Sequence, residues 1–177
     1  MNEETIQHLS RADKILGRLI RKVGPCTFRP EKNCSPFQSL VRSVAYQQLT
    51  GKAAATILGR VVKLFPGKKF PEPEDLVKIS DDQLRAAGLS RAKVAAVKDI
   101  AAKTLSGVVP DSRAIRKLSN EEILERLTTI RGVGPWTVEM LLMFRLGRED
   151  VLPITDYGVR KGFALTYKLD ELPTPKE

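Results

Sequence analysis

The sequence predicts an all-α protein. Apolar residues recur at helical spacing in nearly every segment, caps and glycine stops punctuate the chain at short intervals, and no β-branched alternation of strand length occurs. No internal repeat stands out. With 177 residues, 42% of them hydrophobic, the chain can bury the core of one domain or of two small lobes.

The elements follow in order. Residues 3–23 carry Ile6, Leu9, Ile15, Leu16, Leu19 and Ile20 at helical intervals, with charges between them. Pro25 and Pro30 mark a loop, after which helices are expected from Pro36 to Leu49 and from Gly51 to Leu64. The turn-rich segment PGKKFPEPED places a boundary between lobes near 66–75. Short helices joined by tight turns come next. Gly88 reads as a helix-ending glycine, and Ser90 as the cap of a helix from Arg91 to Leu105. Ser119-Asn120-Glu121-Glu122 fits a capping box, starting a helix–hairpin–helix over 120–146. A last helix runs from Tyr157 to Lys168 with Asp156 at its start. Thr174-Pro175-Lys176-Glu177 has the residues that open a further helix, so apolar surface beside the 157–168 helix is expected to lie uncovered.

Composition narrows the function. Thirty Lys and Arg against 21 Asp and Glu leave a net charge of +9, which points to a polyanionic partner, nucleic acid first, or else to a merely solubilising surface. Between Arg85 and Lys117 stand Arg85, Arg91, Lys93, Lys98, Lys103, Arg113, Arg116 and Lys117, opposed in that stretch only by Asp99 and Asp111. A solvated helix face and a phosphate-facing surface both fit that pattern. Two cysteines, Cys26 and Cys34, and one histidine, His8, are too few for a disulfide framework, a zinc site of several His and Cys ligands, or a four-cysteine cluster. No apolar run approaches the ~18 residues of a membrane span, and the acidic, polar start is no secretory signal.

The most informative run is Leu127-Thr-Thr-Ile-Arg-Gly-Val-Gly-Pro-Trp-Thr-Val-Glu-Met140. Gly132 and Gly134 bring no Cβ to the turn, and the helix after them offers free N–H groups and the positive end of its dipole. Such a cradle holds an anion without reading sequence, as an anchor for a phosphate backbone requires. A lone G-x-G also fits an ordinary helix–helix turn; apolar Leu127 and Ile130 before it and Thr137 and Val138 after it make the pattern more specific.

Leu-Thr-Thr-Ile-Arg-Gly-Val-Gly-Pro-Trp-Thr resembles the helix–hairpin–helix of the HhH-GPD DNA glycosylases. Val151-Leu-Pro-Ile-Thr-Asp156-Tyr-Gly-Val-Arg-Lys161 is similar to that family's proline-containing loop and catalytic aspartate. Val41-Arg-Ser-Val-Ala-Tyr-Gln-Gln-Leu-Thr50 and Leu84-Arg-Ala-Ala-Gly-Leu-Ser-Arg-Ala-Lys93 agree, so the likeness spans about residues 35–168. Within the superfamily it is nearest to DNA-3-methyladenine glycosylase II. The resemblance implies a two-lobed helical fold and a base-excision repair enzyme. It would flip alkylated purines, such as 3-methyladenine and 7-methylguanine, out of duplex DNA and hydrolyse the N-glycosidic bond.

Residue by residue, the likeness makes Asp156 the catalytic carboxylate, where position alone suggests a plain helix cap. Held by helix N–H groups it stays ionised, and a fixed anion beside C1′ favours the cationic sugar of the transition state. An alkylated purine already carries positive charge and leaves without a second acid, which suits a site with one. Trp136, with Tyr46 and Tyr157, would form an electron-rich pocket for that cation, whereas Phe144 and Phe163 are expected in the core. Gln48 falls at the intercalating wedge position. Gly132, Val133, Gly134 and Thr137, with Arg91 and Lys93, would bind the DNA backbone. The carbonyls of Thr128, Ile130 and Val133 would hold a Na+ or K+ ion. Bifunctional members carry a lysine where this chain has Trp136, so the likeness implies no lyase activity. Members with an iron–sulfur cluster need four cysteines near the C-terminus and this sequence has none there, so no cluster, no zinc and no required cofactor are expected. A monomer is expected, in the cytoplasm by the nucleoid or, in a eukaryote, in the nucleus. Two alternatives remain: a non-catalytic hairpin that only binds DNA, and a glycosylase for deaminated or etheno bases. A basic helical RNA binder is disfavoured because no RNA-module signature occurs.

Overall fold

Hydroxyl side chains start many of the helices. Ser35, Thr50, Ser80, Ser90 and Ser119 each accept the N–H of the residue three positions on, and Glu122 and Gln38 return the bond in capping boxes. The computed structural model describes residues 3–31 and 33–175, and Lys176 and Glu177 of the expected terminal helix start lie outside them. The α-helices are α1 (Glu3–Ala12), α2 (Lys14–Val23), α3 (Pro36–Tyr46), α4 (Gly51–Lys63), α5 (Pro73–Lys78), α6 (Asp81–Ala86), α7 (Arg91–Leu105), α8 (Asn120–Thr128), α9 (Pro135–Leu141) and α10 (Tyr157–Tyr167). Ile115–Lys117 forms a 3-10 turn, and Leu142–Leu146 continues α9 as a π-helical turn. Among the described residues no strand occurs, and no helix is long and apolar enough to cross a membrane.

The chain divides into two units: residues 30–147, and a discontinuous unit of residues up to 29 with those from 148 on. The expected boundary near 66–75 lies within the first. Its reason is burial: Phe70 and Pro71 turn into the core, where the Phe70 ring meets Phe37 edge-on at 6.3 Å. In this larger unit α7 is the central strut. It buries Val94, Ala96, Val97, Ile100 and Ala101 and packs on α3, α5 and α6. Leu40 and Val44 of α3, Leu76 of α5, Leu84 of α6, Ile123 and Leu127 of α8 and Leu141 of α9 complete a core fully withdrawn from water. Each such side chain contributes about 1.5–3 kcal/mol.

One buried side chain breaks the apolar pattern. Arg145, in the run Met140-Leu-Leu-Met-Phe-Arg-Leu146, is 4% exposed. Its Nε donates to the Cys34 carbonyl and its Nη2 to Ser112 Oγ at 3.1 Å. The π-helical turn thereby holds the segment before α3, with help from the Glu31 N–H on the Phe144 carbonyl at 2.9 Å.

In the smaller unit the periodic stretch 3–23 forms two helices, not one. Asp13 interrupts it, because its Oδ1 accepts the N–H groups of Ile15 and Leu16 and caps α2. Gly17 lets the two helices close: a Cβ there would sit 2.8 Å from the Ser10 carbonyl oxygen. The other Asp13 oxygen accepts the Tyr167 hydroxyl at 2.8 Å, tying α10 to α2. The backbone bond to Leu16 above all, then the Tyr167 bond, holds the Asp13 carboxyl below its usual range, and the same bond raises the Tyr167 phenol.

Both shifts have signs that can be tested. A lowered carboxylate stabilises above its unfolded pKa and loses that contribution as pH falls through the folded one. A raised phenol stabilises below its unfolded pKa and loses that contribution as pH rises through the folded one. The pair is therefore intact between about pH 4 and 10. Tyr167→Phe is expected to lower the urea midpoint at pH 7, and the deficit should shrink towards pH 3. A deficit independent of pH would place the effect in packing instead.

Candidate active site and DNA interface

The larger unit brings three pieces together: the turn after α3, the hairpin between α8 and α9, and the start of α7. The helix expected to reach Leu49 ends at Tyr46, because Gln48 adopts a left-handed conformation with φ +57°. Gln48 is exposed at the tip of this turn, and Thr50 opens α4 directly after it. The turn is tied on both sides. Gln47 Nε2 donates to the Gly132 carbonyl and to Thr137 Oγ1, both at 3.1 Å. Lys93 Nζ donates to the carbonyls of Ala45 and Gln47, both at 2.8 Å.

The hairpin leans on α7. Asp99 Oδ2 accepts the Arg131 N–H at 2.7 Å, and Gly132, with φ +75°, passes so close to α7 that a Cβ would stand 2.8 Å from Ala96 Cβ. Gly134 is different. It caps α9 with its carbonyl alone, and a Cβ there would meet nothing within 4 Å. The two glycines thus serve opposite ends: Gly132 admits α7, and Gly134 keeps the outer side of the turn open.

Around this assembly lie two clefts. One, of about 770 Å³, is lined by Tyr46, Gln47, Gln48, Gly134, Trp136 and Thr137 among others. The second, of about 840 Å³, shares Tyr46 and Trp136 and extends along Met140, Phe144 and Phe70. Tyr46, which lines both clefts, is 41% exposed. In the smaller unit Asp156 caps α10, its Oδ1 accepting the Val159 N–H at 2.9 Å. Gly158 makes room for it: a Cβ there would lie 3.0 Å from the same oxygen. Tyr157 is 63% exposed, with the Lys161 ammonium 5.9 Å from its ring centroid.

The model of the HhH-GPD superfamily of base excision DNA repair proteins matches residues 41–177. The chain belongs to that superfamily. It is 41% identical to Schizosaccharomyces pombe DNA-3-methyladenine glycosylase 1 over 94% of its own length and 74% of the relative's. It is 30% identical to the alkylbase DNA glycosidase-like protein mag2 of the same organism, over 97% of this chain and 81% of that one. Among solved structures, S. pombe 3-methyladenine DNA glycosylase Mag1 in complex with abasic DNA superimposes with a TM-score of 0.88 at 40% identity. That match covers 98% of this chain and 84% of the other. A Bacillus halodurans DNA-3-methyladenine glycosidase follows at a TM-score of 0.81 and 37% identity, over 95% and 75% of the two chains.

For this HhH-GPD chain the structure sorts the residues singled out from sequence. Tyr46, Gln48 and Trp136 gather at one cleft with Gly134. Several of the residues expected at the DNA backbone also make contacts within the protein. Thr137 is 2% exposed with its hydroxyl on Gln47, the Val133 side chain is buried, and Gly132 is committed to Ala96 and Gln47. Lys93 is clamped on carbonyls, its partial burial holding the ammonium below the ordinary lysine range. Arg91 remains exposed at the first turn of α7. Farther along that helix Lys98 pairs with Asp81 at 2.7 Å, a partner from outside the basic stretch.

Phe144 and Phe163, expected in the core, are 49% and 45% exposed, and Phe163 stacks on Tyr167 at 4.3 Å. For the implied monovalent ion the donor set is oxygen, as a hard cation prefers. Thr128 ends α8, where the helix supplies its last carbonyls with no N–H, while the Ile130 carbonyl already accepts the Val133 N–H at 3.1 Å. Sequence reading missed Gln47, Asp99 and Arg145. Only Arg145, a lone charge in an apolar run, left a signal to be read.

Proposed function

We propose that the protein is a monofunctional DNA glycosylase that releases cationic alkylated purines, such as 3-methyladenine and 7-methylguanine, from duplex DNA. It hydrolyses the N-glycosidic bond and leaves an abasic site. The observation that carries this reading is the acid. Asp156 is held at the start of α10, in a chain whose hairpin has Trp136 where lysine would serve lyase chemistry. The similarity to chains named as 3-methyladenine glycosylases supports the substrate class.

The chemistry follows from charge. As the bond from C1′ to the base nitrogen lengthens, its electron pair leaves with the purine and neutralises the alkylated ring, while positive charge builds on the sugar. A carboxylate fixed by a backbone N–H meets that charge without reorganising. It also accepts a proton from the water that adds to C1′. Tyr46 and Trp136 would stack on the flipped ring, favouring a cationic purine over a neutral one. Gln48 would fill the space the base leaves, and Gly134 with Arg91 would face the phosphates. The carbonyls of Thr128, Ile130 and Val133 would hold a Na+ or K+ ion, which supplies charge beside the DNA backbone. The chain would act as a monomer wherever the chromosome is.

Trp136→Leu tests the pocket. On duplexes holding 7-methylguanine, ethenoadenine or hypoxanthine, wild type should strongly prefer 7-methylguanine. The variant should narrow that preference by about 2- to 30-fold, the rate equivalent of one cation–π contact. Equal or faster wild-type release of the neutral bases would move the substrate to deaminated or etheno lesions.

A further inference from the structure

The turn that carries Gln48 is held in a conformation its sequence does not favour. Gln48 has φ +57° without being glycine, and a Cβ in that region crowds the following carbonyl. Something else must hold it. The residue before it, Gln47, is fixed twice: by its side chain on the Gly132 carbonyl and Thr137 Oγ1, and by its own carbonyl, which accepts the Lys93 ammonium at 2.8 Å. The same ammonium takes the Ala45 carbonyl at 2.8 Å, at the end of α3 where helix geometry leaves carbonyls without donors. Lys93 itself is placed by Ser90, which caps α7 through the Lys93 N–H.

An ammonium has three N–H donors, and two are spent on these carbonyls, in charge-assisted bonds that a passing phosphate would have to displace. The lowered basicity of Lys93, caused by its burial, agrees with an inward rather than a phosphate-facing role.

We infer that Lys93 is a positioning residue: by bridging the carbonyls of Ala45 and Gln47 it locks Gln48 in the left-handed turn that presents it to the duplex. The inference rests on the glycosylase reading and on Gln48 as the wedge. It makes the wedge preformed, so that energy of DNA binding goes to flipping the base and not to ordering the turn.

The test compares wild type, Lys93→Met and Lys93→Arg by three measurements. These are single-turnover release of 7-methylguanine, fluorescence of 2-aminopurine beside a tetrahydrofuran abasic analogue, and the salt dependence of Kd for an undamaged duplex. Lys93→Met should lose release about 10- to 100-fold, the cost of a misplaced but otherwise intact group, with a matching loss of the fluorescence rise. Its salt slope should equal that of wild type. Lys93→Arg, which keeps two donors for the carbonyls, should recover part of both losses. A slope shallower by about 0.9 with the fluorescence rise intact would make Lys93 a phosphate contact and overturn the inference. Should Lys93→Met not fold, Lys93→Gln also drops the charge, and the slope decides in the same way. A wild type silent in release and fluorescence would sink the glycosylase reading and this inference with it. A responsive wild type beside an unaffected variant would sink the inference alone.

Discussion

Asp156→Asn is expected to slow single-turnover base release by about 10²–10³-fold while leaving the fold and the affinity for undamaged duplex in place. The separation is possible because the two roles of the side chain draw on different properties. As the cap of α10, Asp156 accepts the Val159 N–H through one oxygen, and an asparagine oxygen caps a helix about as well. As the partner of a cationic sugar it acts through its charge, which asparagine lacks. Thermal unfolding of the variant should therefore match wild type while the rate collapses. Gly158→Ala should shift the rate in the same direction by less, because the new Cβ would press on Oδ1 from 3.0 Å and displace the carboxylate. If Asp156→Asn kept the wild-type rate, the residue would be a cap of α10 and nothing more.

The second large effect concerns the hairpin. Gly132→Ala is expected to destabilise by about 2–4 kcal/mol, from a left-handed backbone with a Cβ and from overpacking against α7. The overpacking has a named partner, Ala96, whose Cβ would be 2.8 Å away. Adding Ala96→Gly should return part of the loss, leaving the backbone strain, and urea unfolding of the double-mutant cycle measures both. Gly134→Ala makes the contrast. Nothing lies within 4 Å of its new methyl, so stability should hold within about 0.5 kcal/mol while duplex binding weakens. Equal destabilisation at both glycines would contradict the division of labour between them.

The helices were legible in the sequence because their signals are local. Ser90 and the Ser119–Glu122 box start helices where a capping residue should, and Gly88 ends one with φ +114°. Asp156 was legible as a cap for the same reason, and the family likeness supplied its chemistry. What stayed hidden depends on partners far apart in the chain. No local pattern says that Lys93 reaches across to Ala45 and Gln47, or that Asp99 takes a hairpin N–H; a lysine on a basic helix reads as solvent-facing until its neighbours are placed. Gly132 and Gly134 are indistinguishable as letters and differ in backbone conformation, left-handed at Gly132 and extended at Gly134, and in what packs beside them. The segment at 66–75 misled because turn residues also occur in a loop pinned inside one unit, here by Phe70. Asp13 broke the 3–23 helix through its side chain, which competes with the helix for backbone N–H groups.

The reaction proposed for this chain is hydrolysis of a glycosidic bond without cleavage of the strand. It is tested most directly by incubating the wild-type protein with methylated duplex DNA, collecting free bases, and scoring strand breaks before and after alkali. The expected result is release of 3-methyladenine and 7-methylguanine with breaks only after alkali. Breaks before alkali would contradict the monofunctional assignment, and tight duplex binding with no base released would leave a hairpin that holds DNA and does not cut its bases free.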